Sequence, residues 1–302
     1  MSKEKLLQLL EPKPDDNVVL YSIKALYARY KEDALAQTGG QLAYFAILSL
    51  FPFLILLNQV ISRLNIDLLF RFEQYKNFIP ENMVSIIQTY IVNLSADQST
   101  GIFTFGAIST VLLASKAIQS LMSALNQAFR RSSSPGAIRI VISFLFTAIL
   151  IILIPVSILF SSIGNNLFRD AMAFLGLDHA LANIWPFLRF VAPLSLVVLV
   201  ITALYNIIPN KGFPRKYTLV GAIFATLTWM IMAFGISFYT SNFGRYSVIY
   251  GSLGAIMIML LFLYWSGIII VMGGELSHIL AMRSIGDFSY DVKSDLKSDL
   301  KS

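Results

Sequence analysis

Apolar residues in this chain gather into six long runs, with polar positions collected between them. The runs lie roughly at Gln41–Ser62, Ile102–Leu125, Ile138–Ile163, Phe187–Ile208, Tyr217–Thr240 and Gly254–Met282. A helix needs about 20 apolar residues to cross the hydrocarbon core, far more than a strand uses. Helices also satisfy their own backbone hydrogen bonds in lipid. The pattern therefore predicts an all-α polytopic membrane bundle of about six transmembrane helices.

Outside the runs the periodicity is weaker but legible. Val19, Ile23, Leu26, Tyr27, Tyr30 and Ala34 recur at helical spacing, with Lys24, Arg29 and Lys31 on other faces. Two placements satisfy this amphipathic helix: on a membrane surface with its cations toward anionic headgroups, or packed on the underside of the bundle. Between the first two runs, Pro80, Glu81 and Asn82 make a helix start ahead of Val84, Ile87, Ile91 and Leu94. One or two amphipathic helices are expected there, as a lid or as an interfacial structural element. The division is an arm over 1–40, a transmembrane domain over 41–283 with an outside segment at 63–101, and a polar tail over 284–302. The tail repeats Lys-Ser-Asp-Leu from Lys293 and is expected to be disordered.

Composition agrees with a lipid solvent. Of 302 residues, 56% are hydrophobic and 13% charged, against about a quarter charged in soluble domains, and the mean hydropathy is +0.70. The first forty residues hold no apolar segment ending in a small-residue cleavage site, so the first span is expected to act as an uncleaved anchor. Lys and Arg set the orientation. With the N-terminus inside, about 16 fall on the inner side and about 6 outside, so both ends are expected in the cytoplasm. That asymmetry accounts for the net charge of +6 without nucleic acid. The expected partners are membrane lipids, with anionic headgroups at the cytoplasmic face, and a homo-oligomer stays open.

Cysteine is absent, which excludes disulfides, Cys-ligated metals and thiol catalysis. His179 and His278 are too few and too distant for a metal motif. No G-x-x-x-x-G-K-[ST] loop is present. No cofactor and no metal are expected.

Three blocks carry a family resemblance. The segment from Gln41 through Tyr44, Ser49, Pro52 and Phe53 resembles the first-span signature of the YihY/virulence factor BrkB membrane family. Ala114, Ser115 and Lys116, followed by Ala124, Leu125 and Asn126, is similar to its second-span motif. Tyr250-Gly251-Ser252-Leu253-Gly254 and the later Gly274-Glu275-Leu276 resemble its last block. Order and spacing match over roughly residues 25–285. Lys116 stands where the family pattern has arginine, with the charge kept. The resemblance implies a six-helix bundle. Family members have carried the label ribonuclease BN, generally regarded as misassigned, and suggested roles run to envelope integrity, serum resistance and transport of lipids or other solutes.

Charge inside a membrane is costly, at least about 2.5–3.5 kcal/mol at the centre, and marks candidate function. Lys116 in the second span and Glu275 in the sixth stand out. Gln119, Ser123 and Asn126 share a broad face with Lys116, and Gln41 and Tyr44 add polar positions on the first span. These seven are the candidate substrate or ion pathway. The alternative is a structural core with polar side chains as interhelical glue and Lys116 reaching to the interface. The Cα depths of Lys116 and Glu275 differ by roughly 10 Å, which leaves an ion pair between them open. Pro52, Pro155 and Pro193 lie inside spans and are candidate kinks. The expected function is a non-enzymatic transporter or exporter of a lipid or anionic solute through a polar cavity. The alternative is an envelope-integrity scaffold that moves nothing. Nuclease chemistry needs clustered carboxylates or histidines to hold metal ions, and the loops offer mainly basic residues.

Overall fold

The computed structural model describes residues 15–63, 100–130, 137, 139–153, 185–208, 213–242 and 252–285. They form seven helices, with no strand among the described residues: α1 Val18–Glu32, α2 Leu35–Arg63, α3 Thr100–Ala128, α4 Arg139–Leu153, α5 Trp185–Ile207, α6 Arg215–Asn242 and α7 Ser252–Ile285. Each of the six apolar runs overlaps one of α2 to α7 among the described residues. Four contain stretches long and apolar enough to cross a membrane: Leu35–Leu56, Thr104–Ala128, Arg215–Thr240 and Gly254–Ser284. The apolar stretches of α4 and α5 are shorter, Arg139–Leu153 and Val191–Ile207. The expected helices at 63–101, the polar tail beyond Ile285 and Pro155 lie outside the described residues. Pro52 and Pro193 sit inside α2 and α5, which continue through them.

Helix α7 is the mast of the bundle. It packs against α1, α2, α3 and α6, while α2 also packs on α3 and α5 on α6. Its sequence is apolar or small on every side, which suits a helix surrounded by protein. From Gly267 to Ile279 nearly every residue is buried. Two close approaches make this packing work. A Cβ on Gly267 would stand 2.8 Å from Leu42 of α2, and one on Gly273 would stand 2.7 Å from Ala225 of α6. Opposite Gly273, a Cβ on Gly221 would overlap both the Gly273 carbonyl and the Ser277 hydroxyl. In lipid, where apolar burial alone gives helices little reason to associate, such small-residue contacts bring backbones into dispersion range.

Helices α1 and α2 together track α7 in the reverse direction. Arg283 stacks over the Tyr21 ring at 4.8 Å, Arg29 reaches Glu275, and Gly39 abuts Ile268. The path breaks at Asp33 and Ala34, where Ala34 has φ 47°, a left-handed conformation that costs an L-residue about 1–2 kcal/mol.

The described helices converge on a core at the end of the bundle where α1 meets α7. Leu35 and Leu42, Met122 and Leu125, Phe146, Tyr205, Ala222 and Val271 bring six helices into one cluster. A second cluster around Ala233, Met259 and Phe262 joins α6 to α7 farther along. Elsewhere the surface is inside-out. Only 28–33% of each membrane window is buried in protein, and residues such as Ile231, Phe238 and Leu199 point outward, as lipid contact requires.

The arm takes the second of its two expected placements, packed on the bundle against α7, but buries a different face from the apolar stripe. Its buried face is Tyr21, Ser22, Ala25, Leu26 and Arg29, and Tyr21, Ala25 and Leu26 pack with Leu276 and Ile279 of α7. Val19, Ile23 and Tyr27, part of the expected apolar stripe, are exposed. Arg29, expected among the outward cations, is 2% exposed.

Two glycines of α6 test the packing argument against each other. Gly221→Ala should lower stability in detergent by about 1–3 kcal/mol through overpacking. Gly235, with nothing within 4 Å of an added Cβ, should tolerate Ala or gain about 0.5–1 kcal/mol from helix propensity. Thermal melts of the two variants that coincide would contradict the Gly221–Gly273 contact.

Candidate functional site

A buried charge network closes the end of the bundle where α1, α3 and α7 meet. Arg29 Nη1 donates to Glu275 Oε2 at 2.6 Å, with Arg29 2% and Glu275 0% exposed. The same nitrogen lies 3.0 Å from His278 Nδ1 and 3.3 Å from the carbonyl of Ala128. Ala128 ends α3, so the guanidinium also caps that helix's free carbonyl end. An arginine N–H can only donate, so a hydrogen bond between the two makes His278 Nδ1 the acceptor. Phe213 stacks on the ring with the centroids 6.4 Å apart, and Phe129 meets it edge-on at 6.3 Å.

The α1–α2 break supplies the second half. Asp33 Oδ1 accepts from Arg130 Nη1 at 2.6 Å and from Gln127 Nε2 at 3.1 Å. Arg130 also reaches Glu32 at 3.5 Å and, like Ala34, is left-handed, with φ 50°. Two chain reversals are thus pinned to each other. Burial pushes the Asp33 carboxyl up, but hydrogen bonds from Glu275, Arg130 and Gln127 and the charge of Arg130 outweigh it and hold the group below its ordinary value.

The seven pathway residues fall into three groups. Glu275 sits at the centre of the network, paired with Arg29. Lys116 is exposed and has no ion pair among the described residues, so the two charges read as potential partners do not meet. Ser123, Gln41 and Tyr44 are likewise exposed. Together with Gln127 they form outward stripes on α3 and α2 that are polar toward the charged end. Farther along, the same stripes turn apolar at Leu112, Ile108 and Phe105 on α3 and at Leu48 and Phe51 on α2.

Gln119 and Asn126 belong to a different face. With Ser115 they stand at helical spacing on one side of α3, and Gln119 Nε2 donates to Ser143 Oγ of α4 at 3.2 Å. Ser115, Ser143 and Thr147 are each at most 2% exposed, and Asn126 is 4% exposed. Neither polar atom of the Asn126 amide has a partner among the described residues, and the Thr147 hydroxyl lacks one too. The face read as one broad stripe is therefore a polar seam against α4 beside an outward stripe through Lys116 and Ser123. Sequence reading missed Arg29 and Asp33. The signal was the i, i+4 series Tyr21, Ala25, Arg29, Asp33, masked by the more apolar stripe that faces outward.

Comparison with known proteins agrees over nearly the whole chain. The profile of the family described as virulence factor BrkB matches residues 26–295. The chain is 33% identical over 266 residues to the putative ribonuclease-like protein YfkH of Bacillus subtilis (strain 168), covering 86% of this chain and 95% of that protein. It is 28% identical over 260 residues to a UPF0761 membrane protein of Pseudoalteromonas atlantica, covering 83% and 82%. A UPF0761 membrane protein of Cronobacter sakazakii is also 28% identical, over 263 residues. No solved structure matches.

Two predictions follow from the network. Arg29→Met alone leaves the buried carboxyl pair without its cation and should destabilise by about 3–5 kcal/mol, whereas Arg29→Met with Glu275→Leu should recover most of that loss; additive single effects in thermal melts would contradict the pair. The Asp33 contribution is present above the ordinary value of 3.8 and is lost as pH falls toward the lower native one. Acid unfolding of Asp33→Asn should accordingly show a shallower loss of stability below that pH than wild type.

Proposed function

The chain belongs to the virulence factor BrkB family of membrane proteins, and from that premise we propose that it is a multi-pass transporter or exporter of a lipid or anionic solute. The relatives named as membrane proteins and the four long apolar helices make it a multi-pass bacterial membrane protein. In our reading it crosses six times through α2 to α7, with both ends in the cytoplasm. The charged end, with Arg29, Arg130, Arg215, Lys216 and Arg283, is then the inner one.

One observation carries the transport reading: the amide of Asn126, buried with neither of its polar atoms paired among the described residues. Polar residues serving as interhelical glue are paired, because an orphaned buried group loses about 1–3 kcal/mol of solvation. An amide kept in that state on the same side of α3 as Gln119, which reaches Ser143 of α4, suits a seam that polar cargo or water enters. Lys116, with Ser123 on the neighbouring outward stripe, places a cation where an anionic headgroup or solute would approach.

The scaffold reading draws on a specific feature as well. Lys116, Ser123, Gln41 and Tyr44 are exposed, and an outward polar stripe at membrane depth also suits a second copy of the chain or a partner helix. The site gives the nuclease label no support. Among the described residues no group of three His, Cys, Asp or Glu is placed to hold a metal ion, and the carboxylates of Glu275 and Asp33 face guanidinium groups.

Reconstitution separates these readings. Wild type, Asn126→Leu and Lys116→Ala in liposomes, matched for insertion, would be assayed for movement of anionic phospholipid and small organic anions. Asn126→Leu should raise the melting temperature by removing the orphan amide yet cut transport at least about tenfold, or about 1.4 kcal/mol on the barrier. Lys116→Ala should cut transport of anions in particular. A wild type that moves none of these substrates, with the seam variant as active in envelope complementation as wild type, would leave the scaffold reading standing.

A further inference from the structure

Two buried carboxyls meet at the α1–α2 break. Glu275 Oε2 is taken by Arg29 and Asp33 Oδ1 by Arg130 and Gln127. Their other oxygens, Glu275 Oε1 and Asp33 Oδ2, have no donor among the described residues, and the two side chains are hydrogen-bond neighbours. Two ionised carboxylates in contact repel in a low-dielectric interior, and each would keep an unsatisfied oxygen. One proton between them removes both penalties. It sits on one carboxyl as O–H and is donated to the other carboxylate.

The charged and titratable groups facing the pair are Arg29 and Glu32 of α1, Arg130 just after the end of α3, and His278 of α7 itself.

We propose that Asp33 and Glu275 form a proton-binding site that clasps the α1–α2 break to α7. The two carboxyls share the proton and one negative charge, with Arg29 facing Glu275 and with Arg130 and Gln127 facing Asp33. Loss of the proton places two carboxylates against each other and weakens the link from the break to the mast. In the transport reading, on which this further role rests, the site is where a proton gradient would act on the arm.

Infrared difference spectroscopy of the full chain in liposomes tests the site without requiring transport. Wild type should show a protonated-carboxyl stretching band at neutral pH that disappears as pH is raised. Glu275→Gln should lose the band. Asp33→Asn, which retains a side chain able to accept from Arg130, should shift the band or change the pH at which it disappears. A band unchanged in both variants, or no titrating band in wild type, overturns the proposal. Should Glu275→Gln fail to insert, Asp33→Asn decides alone, because a spectrum and titration identical to wild type are incompatible with a shared proton. An intact titrating band in a protein that moves no substrate supports the proton site and sinks only the transport reading.

Discussion

The burial of Arg29 against Glu275 is the constraint from which the rest of this end of the molecule follows. Both side chains are essentially inaccessible, so neither can be hydrated and each must be compensated by protein. That requirement fixes the arm. Helix α1 has to run along the last turns of α7 for its guanidinium to arrive at the carboxylate, and the turn after it has to fall beside the end of α3. The Ala128 carbonyl, the Arg130 side chain and the Asp33 carboxyl are then brought together by chain geometry. Interactions of this kind are weak evidence for net stability, because desolvation opposes the attraction. They are strong determinants of register, since a slip of one residue in α1 would bury a charge alone.

Small residues make the same constraint reachable. For α7 to carry Glu275 into the centre it must be surrounded on every side, and a helix can be crowded that closely only where side chains give way to backbone. Gly267 opens α7 to Leu42, and Gly273 opens it to Gly221 and Ala225. The tight stretch and the charged stretch of α7 overlap, with Gly273 and Gly274 preceding Glu275. Close packing also excludes water from the ion pair, which strengthens it and raises the penalty for leaving it incomplete.

The spans were legible in the sequence because the bilayer imposes a length and a composition that no local choice overrides. Each apolar run met a helix, and departures such as the start of α2 at Leu35 rather than Gln41 reflect helical residues too polar or too small to register as apolar. Glu275 was legible too, as a charge in an apolar run. Its partner was not. An amphipathic arm invites the assumption that its most apolar face is its buried one, as in a water-soluble protein. Here Val19, Ile23 and Tyr27 face outward, while Tyr21, Ala25 and Arg29 face the bundle. Beside a membrane both sides of a helix can be apolar, and hydrophobicity ceases to distinguish in from out. The second span failed in a related way. Lys116, Gln119, Ser123 and Asn126 all fit one broad polar face, but a helix surface spans more than one neighbour, and α4 claims only Gln119 of these by hydrogen bond.

Two kinds of buried polarity therefore stand side by side in this bundle, and their difference is informative. At the charged end the cationic groups meet carboxylates, and the two leftover carboxyl oxygens can satisfy each other through one proton. Along the seam between α3 and α4 the groups are neutral, small and incompletely paired. A structural core under selection for stability alone has a simple remedy for the second kind, because replacing an unpaired Asn or Thr by an apolar residue of similar size removes a penalty at no loss of contacts. The charged kind has no such single-step remedy, since removing either partner strands the other. On the proposed transport reading the neutral seam stays polar because cargo uses it, while the charged end, where Arg29 meets Glu275 and Arg130 meets Asp33, sets the register of the arm.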